Sequence, residues 1–168
     1  GDVKDPITLK NIDSLQSFIE DNDKVMVTYS IANVVKQMHR AVMYDSLEYE
    51  IIPQDREKIN NLFTMYYMSG DQNDLLSMID HDHKTSLITS LSTAMGTEDV
   101  FSFVESITNY IKGHFQGINE VSITGMIVVI RDMVLLVIRS SLLSIVISIV
   151  LIGLITSLFF GRMIWGGL

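Results

Sequence analysis

The pattern of apolar and polar positions divides the chain into two parts of different character. Residues 140–161 form a run of 22 residues without a charge, closed by Arg139 on one side and Arg162 on the other. A helix of this length measures about 33 Å, slightly more than the roughly 30 Å hydrocarbon core of a bilayer. Within lipid, a single segment satisfies all its backbone polar groups only as a helix. We therefore expect a transmembrane helix; the alternative is a buried core helix of a larger soluble domain.

The part before this run has the spacing of an α+β domain. Apolar residues recur at helical spacing in four segments, and short runs rich in β-branched residues predict strands between them. The first helix is predicted from Leu9, after the extended or turn dipeptide Asp5-Pro6, and the others begin near Ile31, Arg56 and Thr97. Their predicted apolar stripes include Val42 on the second helix and Phe101 on the fourth, and residues 70–74 are predicted to break the chain between elements. The predicted strands are 25–29, 75–79, 85–93 and 120–123. Without the added helices, and with the hairpin of 75–79 and 85–93 counted once, the order is helix, strand, strand, helix, strand, which predicts helices packed on one face of a mostly antiparallel sheet. A ferredoxin-like sandwich of this order needs one more strand before Pro6.

Four segments follow from these patterns. They are an α+β domain at 1–124, a helical lead-in at 125–139, the membrane helix at 140–161 and a short link at 162–168. No glycine or proline interrupts residues 126–152, so the lead-in and the membrane helix are predicted to be continuous. The positive charges do not settle the orientation, because they are few and large domains cross membranes largely regardless of charge.

Composition excludes several classes of function. Residues 1–132 contain ten basic and twenty acidic residues, a formal charge of −10, which argues against binding to nucleic acid. The absence of cysteine excludes disulfides and cysteine-based metal sites. The chain starts with Gly1 rather than Met, has no signal peptide and continues only briefly beyond Arg162. We therefore expect it to be a piece of a longer membrane protein.

The densest polar cluster is Asp80-His81-Asp82-His83. On a strand, His81 and His83 would share a face and offer two imidazoles to a divalent metal. A zinc site needs at least a third protein ligand, which the neighbouring sequence does not clearly supply. A solvated turn between two strands is the alternative interpretation. His39 and His114 are isolated and expected at the surface or at helix ends, and no catalytic constellation or cofactor motif is found.

Small hydroxyl residues lie on one side of the predicted membrane helix. Such a face lets neighbouring helices approach closely and exchange hydrogen bonds. Alternatively, each hydroxyl bonds back to the backbone of its own helix. We expect a helix-packing face, with partner helices outside this segment. Its members are Ser141, Ser144, Ser148 and Thr156.

The order and spacing of several short motifs resemble the resistance–nodulation–cell division (RND) superfamily of transporters, and most closely its MMPL-like branch of predicted exporters. Each motif is degenerate, but together they extend over nearly the whole chain. The motifs are Asp5-Pro6 before LKNIDSLQSFIE, the passage VMVTYSIANVVKQMHRAV, Pro53 before REKINNLF, Ile123-Thr124-Gly125 before the long helix, and the exit Phe159-Phe160-Gly161-Arg162.

The resemblance implies a place and a function for each part of the chain. Residues 1–124 would be most of the first periplasmic porter domain, a ferredoxin-like subdomain with inserted helices, and residues 140–161 the second transmembrane helix. Residues 1–139 would lie on the periplasmic side of a bacterial inner membrane, with Arg162 at the cytoplasmic end. The implied function is proton-driven export of lipids or other hydrophobic molecules. The implied partners are the bilayer, the protein's remaining transmembrane helices and its second porter domain.

The residues leave two other hypotheses open. A single-span, membrane-anchored sensory or ligand-binding domain outside the cytoplasm explains the composition equally well. An enzyme that uses the turn of His81 and His83 would require a bound metal.

Overall fold

A computed structural model describes residues 2–69, 72–115 and 120–160 of the chain. The helices are α1 (Pro6–Glu20), α2 (Ile31–Val42), α3 (Arg56–Ser69), α4 (Gln72–Leu76), α5 (Thr97–His114) and α6 (Met126–Phe160), with a 3-10 turn at Leu47–Tyr49. The strands are β1 (Val25–Tyr29) and β2 (Thr89–Ser92). This mostly helical mixture with a small antiparallel sheet confirms the α+β class. The chain forms two compact units, Gly1–Ser122 and Ile123–Leu168.

Side-chain caps explain where the first three helices begin. The Asp5 carboxylate accepts the Ile7 N–H at 2.9 Å, and Pro6 occupies the first helical turn, where its missing N–H costs nothing. The Ser30 hydroxyl accepts the Ala32 N–H at 3.1 Å in a capping box that starts α2. The Asp55 carboxylate accepts the Glu57 N–H at 2.9 Å. The caps at Ser30 and Asp55 confirm the predicted starts of α2 and α3, whereas α1 begins earlier than predicted, with Pro6 inside the helix.

The main core of the first unit lies between α1, α2, α3 and the segment after α4. Most of its side chains follow the predicted helical stripes, and each contributes about 1.5–3 kcal/mol by leaving water. Val42, expected on the stripe of α2, is instead exposed. The core residues are Val3, Leu9, Ile31, Ala32, Val34, Val35, Ile52, Ile59, Leu62, Phe63, Leu75, Met78 and Ile79.

Helix α5 buries a second group of apolar side chains and contacts α1. The rings of Phe18 on α1 and Tyr110 on α5 stack with their centroids 4.2 Å apart. Phe103 is buried, whereas the predicted core residue Phe101 is only half-buried, so the stripe is rotated from the expected one. The buried residues of α5 are Val100, Phe103, Val104 and Ile107.

The sheet is smaller than the sequence predicts. Strands β1 and β2 pair antiparallel, with Val27 opposite Leu91 and an irregularity between Val25 and Val27. The strand predicted at 75–79 is wrong, because this segment is the end of α4 followed by a turn, with a single bridge from Ile79 to Ser86. Its buried residues are separated by three and four positions, which is helical spacing rather than strand alternation: Leu75, Met78 and Ile79.

Three further predictions near the ends of elements need correction. Residues 120–123 contain no strand, since they have no partner strand in the part of the chain that the structure describes. The breaker cluster predicted at 70–74 falls partly inside α4, while Gly70 and Asp71 lie outside the described residues. The strand predicted at 85–93 is shortened to the four residues of β2.

The second unit is dominated by one helix. Gly125 adopts φ +102°, a left-handed conformation that glycine tolerates without a steric penalty, and α6 begins at the next residue. The helix continues for 35 residues to Phe160, as the absence of glycine and proline from residues 126–152 predicts.

Candidate functional site: the apolar helix and the histidine turn

Helix α6 is long and apolar enough to cross a membrane. It reaches a mean hydropathy of 2.7 over its most apolar 18 residues, and that window is not buried against the rest of the protein. At about 1.5 Å per residue, 35 residues measure about 52 Å, well beyond the hydrocarbon core. The surplus can be accommodated at residues 126–139, where Arg131 and Asp132 form an ion pair at 2.8 Å and Arg139 is exposed.

The hydroxyls of α6 donate to their own helix. Ser144 donates to the Ser140 carbonyl at 3.0 Å, Ser148 to the Ser144 carbonyl at 2.8 Å and Thr156 to the Ile152 carbonyl at 2.7 Å. These bonds satisfy the donors, so the hydroxyl groups can face lipid or a neighbouring helix at low cost. Ser141 is exposed on the same helix. The packing face stays a prediction, and Arg162 lies outside the described residues.

The cluster of His81 and His83 folds as a turn around Asp80. The Asp80 carboxylate accepts the N–H groups of Lys84 at 2.7 Å and Thr85 at 2.8 Å. The bond from Thr85 has the largest effect and lowers the pKa of Asp80; burial opposes it, and the bond from Lys84 adds to the lowering. His81 is exposed, whereas His83 is half-buried with φ +55°. The two histidines therefore do not share the face of a strand.

His83 connects three parts of the first unit. Its Nε2 lies 2.8 Å from the Tyr67 hydroxyl on α3, and its ring meets Phe63 edge to face at 6.0 Å. Its carbonyl accepts the Val3 N–H at 2.8 Å. Burial lowers the pKa of His83, and the positive charge of Lys4 lowers it further. Among the residues that the structure describes, no three His, Cys, Asp or Glu side chains are grouped to hold a metal ion.

The other two histidines have different environments. His39 lies in the last turn of α2, at a helix end as predicted, but it is buried rather than at the surface: its Nδ1 lies 2.9 Å from the Ile51 carbonyl and its ring meets Tyr49 edge to face. It follows Val35 by four residues, so helical spacing already places it on the buried face of α2. His114 is exposed in the last turn of α5, as predicted, and stacks on Tyr110.

A polar network, which the sequence pattern did not reveal, joins α1, β1 and α2; its Gln16, Thr28 and Ser30 are buried, and its Glu20 is exposed. The Ser30 hydroxyl donates to the Gln16 side-chain oxygen at 2.5 Å, and the Gln16 amide donates to Glu20 at 3.0 Å. The Thr28 hydroxyl also donates to Glu20 and lowers the pKa of that carboxyl group. Gln16 is four residues after Ile12 and three before Ile19, so the stripe of α1 could have identified it as buried.

The sheet exposes large apolar side chains. Met26 is 71% exposed, Val27 53% and Leu91 62%, although Val27 and Leu91 are cross-strand partners. Thr28, which follows Val27, is buried and bonds to α1. The face of the sheet that carries Thr28 therefore packs on the helix, while Val27 and its partner Leu91 remain accessible.

Comparisons with known proteins give no match: no family model, no curated protein and no solved structure is significantly similar to the chain.

Proposed function

We propose that the chain is part of a proton-driven RND-type exporter of lipids or other hydrophobic molecules in a bacterial inner membrane. In this proposal, residues 1–124 form a ferredoxin-like periplasmic porter subdomain and α6 forms a transmembrane helix. The observation that carries the proposal is the unbroken course of α6. The helix runs for 35 residues from Met126, shortly after the first unit ends at Ser122, to Phe160. Its residues 140–160 carry no charge.

The exposed sheet supports the place of the α+β unit in a larger assembly. A two-stranded sheet is marginally stable by itself and usually gains further strands or a covering layer. Here Met26, Val27 and Leu91 expose apolar surface that such an addition would bury. The proposal assigns this role to further strands of the porter subdomain and to the second porter domain of the same protein.

The chemistry of α6 limits the role of this segment in export. No ionisable residue lies between Arg139 and Arg162, so a proton relay would have to use other helices. The proposed contribution of α6 is mechanical, because a continuous helix transmits a movement of its first turns along its axis. The hydroxyl face of Ser141, Ser144, Ser148 and Thr156 would pack against the remaining helices, while the other faces meet lipid.

The gene around this segment provides the first test. An exporter requires one membrane-spanning segment upstream of residue 1 and several downstream of residue 168. A signal sequence immediately before Gly1 together with a stop codon immediately after Leu168 would contradict the proposal. The functional test follows the efflux of a hydrophobic fluorescent dye from cells that express the whole protein. A protonophore is expected to abolish the difference in dye retention between these cells and cells without the gene.

A second candidate is a single-span sensory or ligand-binding protein, which the well-formed core of the first unit favours. Expression of residues 1–124 alone separates the two functions. The sensory hypothesis predicts a monomeric domain that melts cooperatively and binds a ligand. The exporter hypothesis predicts aggregation through the exposed sheet. We do not propose an enzyme, since the turn of His81 and His83 forms no arrangement suited to catalysis.

A further inference from the structure

The segment between α2 and α3 begins with an exposed apolar loop. We call residues 43–51 the Tyr44 loop. Tyr44 is 100% exposed, Leu47 74% and Ile51 55%, and Val42 directly before the loop is 46% exposed. A single exposed apolar residue is ordinary, but four within ten residues concentrate apolar surface at one place.

The backbone of the Tyr44 loop adopts an unusual conformation. Tyr44 has φ +58° and Asp45 has φ +59°, so two consecutive non-glycine residues are left-handed. Each such residue costs about 1–2 kcal/mol and persists only where surrounding contacts hold it. Here the Asp45 N–H donates to the Arg40 carbonyl at 3.0 Å, and the Ser46 N–H to the Met43 carbonyl at 3.3 Å.

Arg40 joins the two ends of the loop. Its Nε donates to Asp45 at 2.7 Å, and its Nη1 donates to Glu50 at 2.8 Å. At the far end, the buried ring of His39 holds the Ile51 carbonyl. The loop is therefore pre-organised, and a partner that binds Tyr44 would lose little free energy in ordering it.

The charge of the loop restricts which partner fits. The loop contributes three negative charges, from Asp45, Glu48 and Glu50, and Arg40 contributes one positive charge. The loop together with Arg40 therefore carries a formal charge of −2. This charge disfavours an anionic lipid surface. It also disfavours a second copy of this chain, whose own formal charge is −8. A protein surface with an apolar pocket edged by lysine or arginine complements both the apolar side chains and the carboxylates.

We propose that the Tyr44 loop is a docking site for a separate protein whose surface presents an apolar pocket edged by basic residues. Tyr44 is the anchor that enters the pocket, since a rigid tyrosine contributes large contact area at low entropic cost. Glu48, which is exposed, pairs with the basic edge. This site is independent of the export function proposed above.

Photo-crosslinking in the whole protein, in its native membrane, tests the site. Tyr44→p-benzoylphenylalanine places the reactive group at the anchor, and the same change at Gln37, exposed on α2, is the positional control. We expect one protein adduct from position 44 and none from position 37, with the crosslinked peptide containing lysine or arginine. Adding Glu48→Lys is expected to reduce the adduct about five-fold or more, whereas Glu105→Lys, an exposed charge reversal on α5, leaves it unchanged.

Four results would overturn the proposal. The first is an adduct to lipid, and the second is an adduct within the same polypeptide or to a second copy. The third is an equal amount of adduct in the Glu48→Lys and Glu105→Lys variants. The fourth is an amount of adduct from position 44 no greater than that from position 37. Equal melting temperatures of the two charge-reversal variants show that both keep the fold, so a selective loss in Glu48→Lys reports on docking.

Discussion

Replacing Ser30 by alanine is expected to destabilise the first unit far more than the loss of one hydroxyl suggests. Ser30 is fully buried and serves two partners at once. It accepts the Ala32 N–H at the start of α2 and donates to the buried side-chain oxygen of Gln16 on α1. Ser30→Ala removes the helix cap and leaves the Gln16 oxygen without this donor.

The magnitude follows from these two losses. Loss of a serine cap costs about 1 kcal/mol, and a buried acceptor left without its donor costs about 1–3 kcal/mol. Ser30→Ala should therefore lower the free energy of unfolding by about 2–4 kcal/mol. Combining it with Gln16→Leu removes the stranded amide oxygen, so the double variant should be less destabilised than the sum of the two single variants.

Urea unfolding of the detergent-solubilised protein, followed by far-UV circular dichroism, measures these differences. Ser102→Ala is the matched control, because the Ser102 hydroxyl is exposed and only bonds back to carbonyls of its own helix. The control should lie within about 0.5 kcal/mol of the parent protein. A Ser30→Ala variant no less stable than this control, or strictly additive effects of Ser30→Ala and Gln16→Leu, would refute the role of the network.

Three other predictions concern acid stability, insertion and coupling. Because the pKa of His83 is lowered in the folded protein, the unfolded chain binds more protons than the folded protein as the pH falls below about 6.5. The melting temperature should therefore fall from pH 7.5 to pH 5, and it should fall less steeply in His83→Asn. Equal dependence of the melting temperature on pH in the two proteins would contradict this. When residues 1–168 are expressed without the other membrane spans of the proposed exporter, Val146→Asp with Val150→Asp costs about 6–8 kcal/mol of insertion free energy. The double variant should then be extracted from membranes by carbonate, while Val150→Asp alone stays inserted. Retention of the double variant would exclude α6 as the anchor. Two glycines inserted after Val134 should reduce dye efflux by the whole protein without lowering its amount in the membrane, and normal efflux would refute coupling through α6.

Local signals in the sequence predicted where α2, α3 and α6 begin, because each of these helices carries its own boundary, whereas the short α4 was not predicted. Ser30 and Asp55 are caps whose hydrogen bonds reach only two residues along the chain. Gly125 likewise marks the turn into α6. The apolar course of α6 also follows from composition alone, without any contact to another element.

The sheet and the polar contacts could not be predicted in the same way, because they depend on partners distant in sequence. Residues 75–79 are apolar except for Ser77, so their helical burial emerges only when Leu75 and Ile79 meet the core. Residues 120–123 alternate like a strand but find no partner among the residues that the structure describes. His83 is drawn from a surface turn into a half-buried position by Tyr67, sixteen residues earlier.

Because residues 1–168 contain no cysteine, single cysteines introduced here report the proposed topology directly once any cysteine elsewhere in the whole protein has been replaced. Glu105→Cys on α5 and Val150→Cys in α6 are introduced separately into the whole protein, and intact bacterial spheroplasts are treated with a membrane-impermeant maleimide. Rapid labelling of Glu105→Cys is expected, while Val150→Cys should react only after the membrane is dissolved and the protein unfolded. Labelling of Glu105→Cys only after lysis would place the α+β domain in the cytoplasm, and equal labelling of Val150→Cys in intact spheroplasts would show that α6 does not cross the bilayer.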